Sequence, residues 1–138
     1  MSEILNVSLV GVGGQGILLA GEILCRVALH LGKDVKKSEV HGMAQRGGSV
    51  VGQVRIGDRV PSPLIATGMT DVLMSFEKVE ALRLSHELKP DGLAVVNDQE
   101  IRPITVTSGQ FGWPEDLDGK LRATFPRLDI IPVFPSHP

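Results

Sequence analysis

Cysteine, tyrosine and aromatic residues in general are scarce in this chain, and each scarcity removes a class of function. Cys25 is the one cysteine. A single thiol cannot build a disulfide framework, a zinc site or an iron–sulfur cluster. Any electron-transfer metal must therefore sit on another chain, and a cytoplasmic setting is expected. Tyr is absent and aromatics make up 4% of residues, which leaves no stacking platform for single-stranded nucleic acid. No long apolar run replaces them. The uncharged segment Ile4–Gly21 contains Asn6, Ser8, Gln15 and five glycines, and no basic stretch precedes it. It reads neither as a membrane span nor as a signal peptide.

Charge of one sign is also lacking. The formal net charge is −2 and the pI about 6.1, so no global field draws the chain to nucleic acid or to an anionic membrane. The distribution is uneven: residues 26–59 hold seven Lys/Arg against three Asp/Glu, and residues 71–129 hold seven against eleven. The basic half suits an anion or a solvated face. The 138 residues, 42% hydrophobic and 22% charged, fit one globular domain over residues 1–138 with its own core.

Along the chain, Asn6–Val10 is a short, valine-rich strand that runs into Gly11-Val12-Gly13-Gly14-Gln15-Gly16. Ile17, Ala20, Ile23, Leu24, Val27, Ala28 and Leu31 then recur at the spacing of one helical face, with Gly32 as a stop. Asp34–Val40 reads as a second strand, which makes a strand–loop–helix–strand unit that starts a parallel sheet. His41–Gly48 has no apolar period and reads as a loop. Ser49–Ile56 alternates as a half-exposed strand, and Pro61 and Pro63 make the stretch after it irregular. Strands at Asp71–Phe76, Leu93–Asn97, Arg102–Val106 and Leu128–Val133 follow. Helices at Glu77–Leu88 and Glu115–Ala123 separate them, and Pro90-Asp91-Gly92 reads as a turn. The alternation predicts a three-layer, Rossmann-like α/β domain with a mostly parallel sheet and the glycine loop at a strand's C-terminal edge.

Gly11-x-Gly13-x-x-Gly16 has the form of the dinucleotide fingerprint: glycines allow a tight turn and bring backbone amides close to a phosphate at a helix N-terminus. The fingerprint also needs an acid near the end of the second strand, where Glu39 stands. A glycine turn required only for close packing would leave the same signature. Arg46-Gly47-Gly48-Ser49, with His41 upstream, forms a second cluster, in which an arginine between glycines presents a planar donor fork to a carboxylate or phosphate. The alternative is a loop arginine that fixes a turn or a subunit contact. Lys33, Lys36 and Lys37 read as solvated, Cys25 as core, and Glu77 and Glu80 as a helix cap or surface pair. His41 has no partnered acid in the sequence.

Three tracts in order, GVGGQG at Gly11–Gly16, KKSEVHGMAQRGGSV at Lys36–Val50 and SPLI at Ser62–Ile65, resemble the gamma subunit or domain of the 2-oxoacid:ferredoxin oxidoreductases, indolepyruvate-type members in particular. The resemblance covers about residues 4–100. It implies a Rossmann-like domain that packs on a larger subunit carrying thiamine diphosphate and iron–sulfur clusters. The assembled enzyme would convert a 2-oxoacid, CoA and oxidised ferredoxin into acyl-CoA, CO2 and reduced ferredoxin. Carried over by position, the candidate contacts for CoA or the thiamine mouth are Gly11, Gly13, Gly14, Gln15 and Gly16, then Arg46, Gly47, Gly48 and Ser49. None of these is expected to be catalytic. Members of the family continue further, whereas this sequence ends in Pro132-Val133-Phe134-Pro135-Ser136-His137-Pro138. It reads as a C-terminally shortened copy, prone to self-association. Read from the residues alone, a free-standing NAD(P)- or FAD-binding oxidoreductase and a non-catalytic nucleotide-binding or assembly module remain alternatives.

Overall fold

The computed structural model describes residues 3–13, 16–41, 48–101 and 112–132. Six strands form one sheet: β1 (Ile4–Val12), β2 (Asp34–His41), β3 (Ser49–Gly57), β4 (Thr70–Ser75), β5 (Leu88–Asn97) and β6 (Arg127–Ile131). Their order is β2-β3-β1-β4-β5-β6. β1, β4, β5 and β6 run parallel, while β3 is antiparallel to both β1 and β2. All strands but β3 therefore point the same way. The sequence placed β2 correctly, but β2 does not pair with β1. β3 returns and takes the place between them.

Among the described residues three helices cover the sheet: α1 (Ile17–His30), α2 (Lys78–Arg83) and α3 (Leu117–Thr124), with a 3-10 turn at Ser85–Glu87. At the centre of the sheet β1 is buried on both faces from Asn6 to Val12, as a strand covered by helices on either side must be. On one face Val7, Leu9, Val50 and Val54 pack with Ile17 and Cys25 of α1. On the other, Val10, Leu73, Ala94 and Val96 pack with Ala81 of α2, Leu121 of α3 and Phe125. The alternation along β1, Val7 and Leu9 to one side and Val10 to the other, is the two-residue period of a strand with two cores. The result is a three-layer α/β fold.

Two elements differ from the sequence reading. α1 starts and stops as expected, with Gly32 at φ +79 closing it. Gly32 N–H donates to Leu29 O and Lys33 N–H to Ala28 O, both at 3.0 Å, the paired bonds of a left-handed glycine stop. Yet its buried residues are Ile17, Gly21, Cys25 and Ala28, whereas Ile23, Val27 and Leu31 of the predicted face are exposed. Ile17 and Cys25 pack there against Val7, Leu9, Val50 and Val54, and Gly52 of β3 lies under the helix, where a Cβ would meet Leu9 and Ile17 at 3.9 and 4.0 Å. Secondly, the helix expected to reach Leu88 ends at Arg83, and Pro90-Asp91-Gly92 lies inside β5 instead of forming a turn. The strand predicted at Arg102–Val106 lies outside the described residues.

Candidate functional site

The helix after β1 leads toward β2 at one end of the sheet, and the helix after β4 leads to β5 at the other. The crevice between the carboxyl ends of β1 and β4 is thus the point where the winding reverses, the usual place for a ligand in an open α/β sheet. Phe76 N–H donates to Val10 O at 2.8 Å across its floor. Because β3 is antiparallel, its beginning lies at this same edge, and it brings the second glycine cluster there.

The two predicted loops meet. Gly13 N–H donates to Gly48 O at 2.9 Å, continuing a ladder in which Val12 opposes Ser49 and Gly11 opposes Val50. This corrects the boundary of the first loop: Gly11 and Val12 belong to β1, and the loop begins at Gly13. The Gly13 amide is committed to the second loop. Its missing side chain leaves ordinary room, since a Cβ would lie 3.7 Å from Gly48 O and 3.9 Å from Val50 Cγ2. Gly16 has φ +87 and stands as the N-cap of α1, with no side chain capping the helix and no acid in its first turn. Neither the cap residue nor the first turn itself thus brings an acceptor or a carboxylate to the opening amides of α1, an arrangement that suits an anion. Gly14, Gln15, Arg46 and Gly47 lie outside the described residues.

The acid required by the dinucleotide fingerprint is misplaced. Glu39 lies on β2 opposite Gly52, with the whole of β3 between it and β1, and it pairs with Lys37 at 3.4 Å. An NAD-binding fold needs that acid on the strand beside the glycine loop. The free-standing NAD(P) or FAD reading loses its second anchor. The basic run is likewise occupied: Lys33 pairs with Asp58, Lys36 with Asp34 and Lys37 with Glu22 at 2.8, 3.1 and 2.8 Å.

Glu77 is the helix cap that the sequence suggested, but its burial was not legible. It is 1% exposed and caps α2, accepting from Glu80 N–H at 2.8 Å and from Ile101 N–H at 3.1 Å. Burial pushes its carboxyl above the ordinary range, against the backbone hydrogen bonds that pull it down. Beside it, Lys78 is almost enclosed and bridges Asp98 at 2.5 Å and Asp118 at 2.7 Å. This joins the end of β5 to α3 and engages the Lys78 ammonium on both sides. At the opposite edge, Arg55 Nη1 donates to Ser62 O and Leu64 O at 2.8 and 3.2 Å, and Nε to Asn6 Oδ1 at 2.9 Å. That fork holds the SPLI tract, far along β1 from the glycine loops. Among the described residues no group of three or more His, Cys, Asp or Glu is placed to hold a metal ion, and no helix is long and apolar enough to cross a membrane.

Residues 6–129 match the pyruvate ferredoxin/flavodoxin oxidoreductase family. The chain belongs to that family. It is 47% identical over 135 residues to the indolepyruvate oxidoreductase subunit IorB of Archaeoglobus fulgidus, covering 96% of this chain and 66% of that protein. The subunit of the same name from Thermococcus kodakarensis is 43% identical over 86% of this chain and 63% of its own length. The chain therefore spans about two-thirds of these relatives. Among solved structures, the pyruvate oxidoreductase subunit PORC of Thermotoga maritima superposes with a TM-score of 0.63 at 22% identity, covering 95% of this chain and 62% of its own. A 2-oxoglutarate:ferredoxin oxidoreductase from Magnetococcus marinus, solved with 2-oxoglutarate, coenzyme A and succinyl-CoA, gives 0.63 at 19% identity, over 95% of this chain and 20% of that one. These two likenesses bear on the fold.

Proposed function

We propose that this chain is the gamma-type, thiamine-free component of an indolepyruvate- or arylpyruvate-type 2-oxoacid:ferredoxin oxidoreductase of the cytoplasm. It is inactive alone. A larger partner subunit carries thiamine diphosphate and the iron–sulfur clusters, and ferredoxin takes the electrons through the complex. The observation that carries this reading is the 47% identity to subunit IorB over nearly the whole chain. In the assembled enzyme this chain's contribution is binding, not bond-breaking. The amides that open α1 and the guanidinium of Arg46 have the chemistry to hold the CoA diphosphate, and the Gly13–Gly48 hydrogen bond joins the described ends of the two tracts.

Calorimetry tests this directly. CoA is titrated into the complex with the partner subunit, and NADH and FAD into this chain alone. The expected result is CoA binding that Arg46→Ala weakens about ten- to a hundredfold, the worth of one charge-assisted contact, with an unchanged melting temperature of the chain. Micromolar binding of NADH or FAD to the isolated chain would reverse the assignment.

A further inference from the structure

Glu77 follows the carboxyl end of β4, one wall of the crevice, and is fully enclosed. A helix cap needs one carboxylate oxygen, and Glu77 uses two. One accepts from Glu80 N–H at 2.8 Å and caps α2; the other accepts from Ile101 N–H at 3.1 Å, on the segment that leaves β5. Neighbouring bonds close the same seam. Lys78 N–H donates to Gln99 O at 2.9 Å, and Asn97 Nδ2 donates to Phe76 O at 3.4 Å and to Gln99 Oε1 at 3.1 Å. Aspartate is among the preferred helix caps; what the longer glutamate adds is the reach to Ile101. The same corner meets the crevice through Phe76, whose N–H donates to Val10 O at 2.8 Å. The Phe76 side chain packs against the cluster that includes Leu9, Val50 and Ile17, the first residue of α1.

We propose that Glu77 is a positioning residue for the anion site that opens α1. By tying the exit of β5 to the β4–α2 corner, it fixes Phe76 from behind. Phe76 in turn keeps the crevice floor at Val10 and the opening turn of α1 at Ile17 in register for the CoA diphosphate. Glu77 itself touches no ligand. The role rests on the CoA reading above and adds to it a residue that neither glycine tract contains. A buried carboxylate is costly unless every oxygen is engaged, and here the second oxygen is engaged only by the long-range bond to Ile101. Withdrawing that oxygen leaves the Ile101 amide without its acceptor and frees the corner to shift.

Two substitutions separate positioning from capping. Glu77→Asp keeps the cap but not the reach, and Glu77→Gln offers one acceptor oxygen where two are used. Circular dichroism verifies that each variant is folded. In the complex with the larger subunit, both are expected to raise KM for CoA about three- to tenfold, the worth of one hydrogen bond, with kcat unchanged. In the full chain alone, Glu77→Asp is expected to speed amide hydrogen exchange at Phe76 as well as at Ile101. A wild-type KM in either folded variant, or a fall in kcat without a change in KM, overturns the proposal, because Glu77 would then be a cap and nothing more. A wild-type complex with no CoA-dependent turnover contradicts the enzyme assignment instead. Exchange then decides the positioning role, and a Phe76 amide as protected in Glu77→Asp as in the wild type overturns it.

Discussion

At the residue scale, the two described loop glycines do different work. Gly16 sits in the left-handed region at φ +87, where any side chain is strained, so Gly16→Ala should cost roughly 1–2 kcal/mol of stability. Gly13 is not so constrained, and a Cβ there meets its neighbours at ordinary distances. Gly13→Ala is therefore expected to change stability by no more than about 0.5 kcal/mol, yet to lower CoA affinity by standing between backbone and phosphate. Thermal melts and CoA titrations of the two variants separate these effects; a Gly13→Ala chain that binds CoA normally would remove that glycine from the site. The fingerprint glycines were legible because an uncommon backbone conformation and a close approach both demand glycine. Which glycine serves which need was not, because Gly11 turned out to be a rung of the β1–β3 ladder.

At the element scale, the β4–α2 junction depends on a buried acid. Glu77 caps α2 and holds the backbone of Ile101, and its carboxyl is pushed up from the ordinary 4.5 by burial. A group whose folded value lies above its unfolded value binds more protons when folded, so its contribution to stability falls as pH rises through that interval. The wild-type chain should therefore lose melting temperature relative to Glu77→Gln as pH rises above the ordinary carboxylate value. The opposite slope would mean that the backbone donors outweigh burial. The sequence identified these acids as helix openers but extended the helix five residues too far. After Arg83 the chain tightens into the 3-10 turn, and β5 begins at once. There Thr70 opposes Leu88 and Val72 opposes Leu93, so two steps of β4 are matched by five of β5. Pro90, which lacks an N–H donor, falls inside this irregularity. A proline–glycine pair signals an interrupted ladder, and only the neighbouring strand decides between a turn and a bulge.

At the scale of the whole molecule, element type was readable from local pattern, whereas strand order was not. Glycines, helical spacing and alternation gave α1, β2 and β3 nearly residue by residue, and β1 two residues short at each end. The insertion of β3 between β1 and β2 is a long-range pairing that no local period reveals. It shapes the candidate site, because it moves Glu39 one strand away from β1 and brings Gly48 to Gly13 instead. The outer face of α1 was misread for a related reason. Its apolar residues fit a core-facing period on more than one side, and only the burial of Ile17, Gly21, Cys25 and Ala28 shows which side meets the sheet. The central claim is that this chain completes an oxidoreductase whose chemistry lies on another subunit. The most direct measurement is 2-oxoacid- and CoA-dependent reduction of ferredoxin by the larger thiamine- and iron–sulfur-bearing subunit, assayed with and without this chain. Reduction that appears only when the two are combined, with an arylpyruvate such as indolepyruvate as donor, is the predicted result. Equal turnover by the larger subunit alone, or no association between the two, would contradict the account.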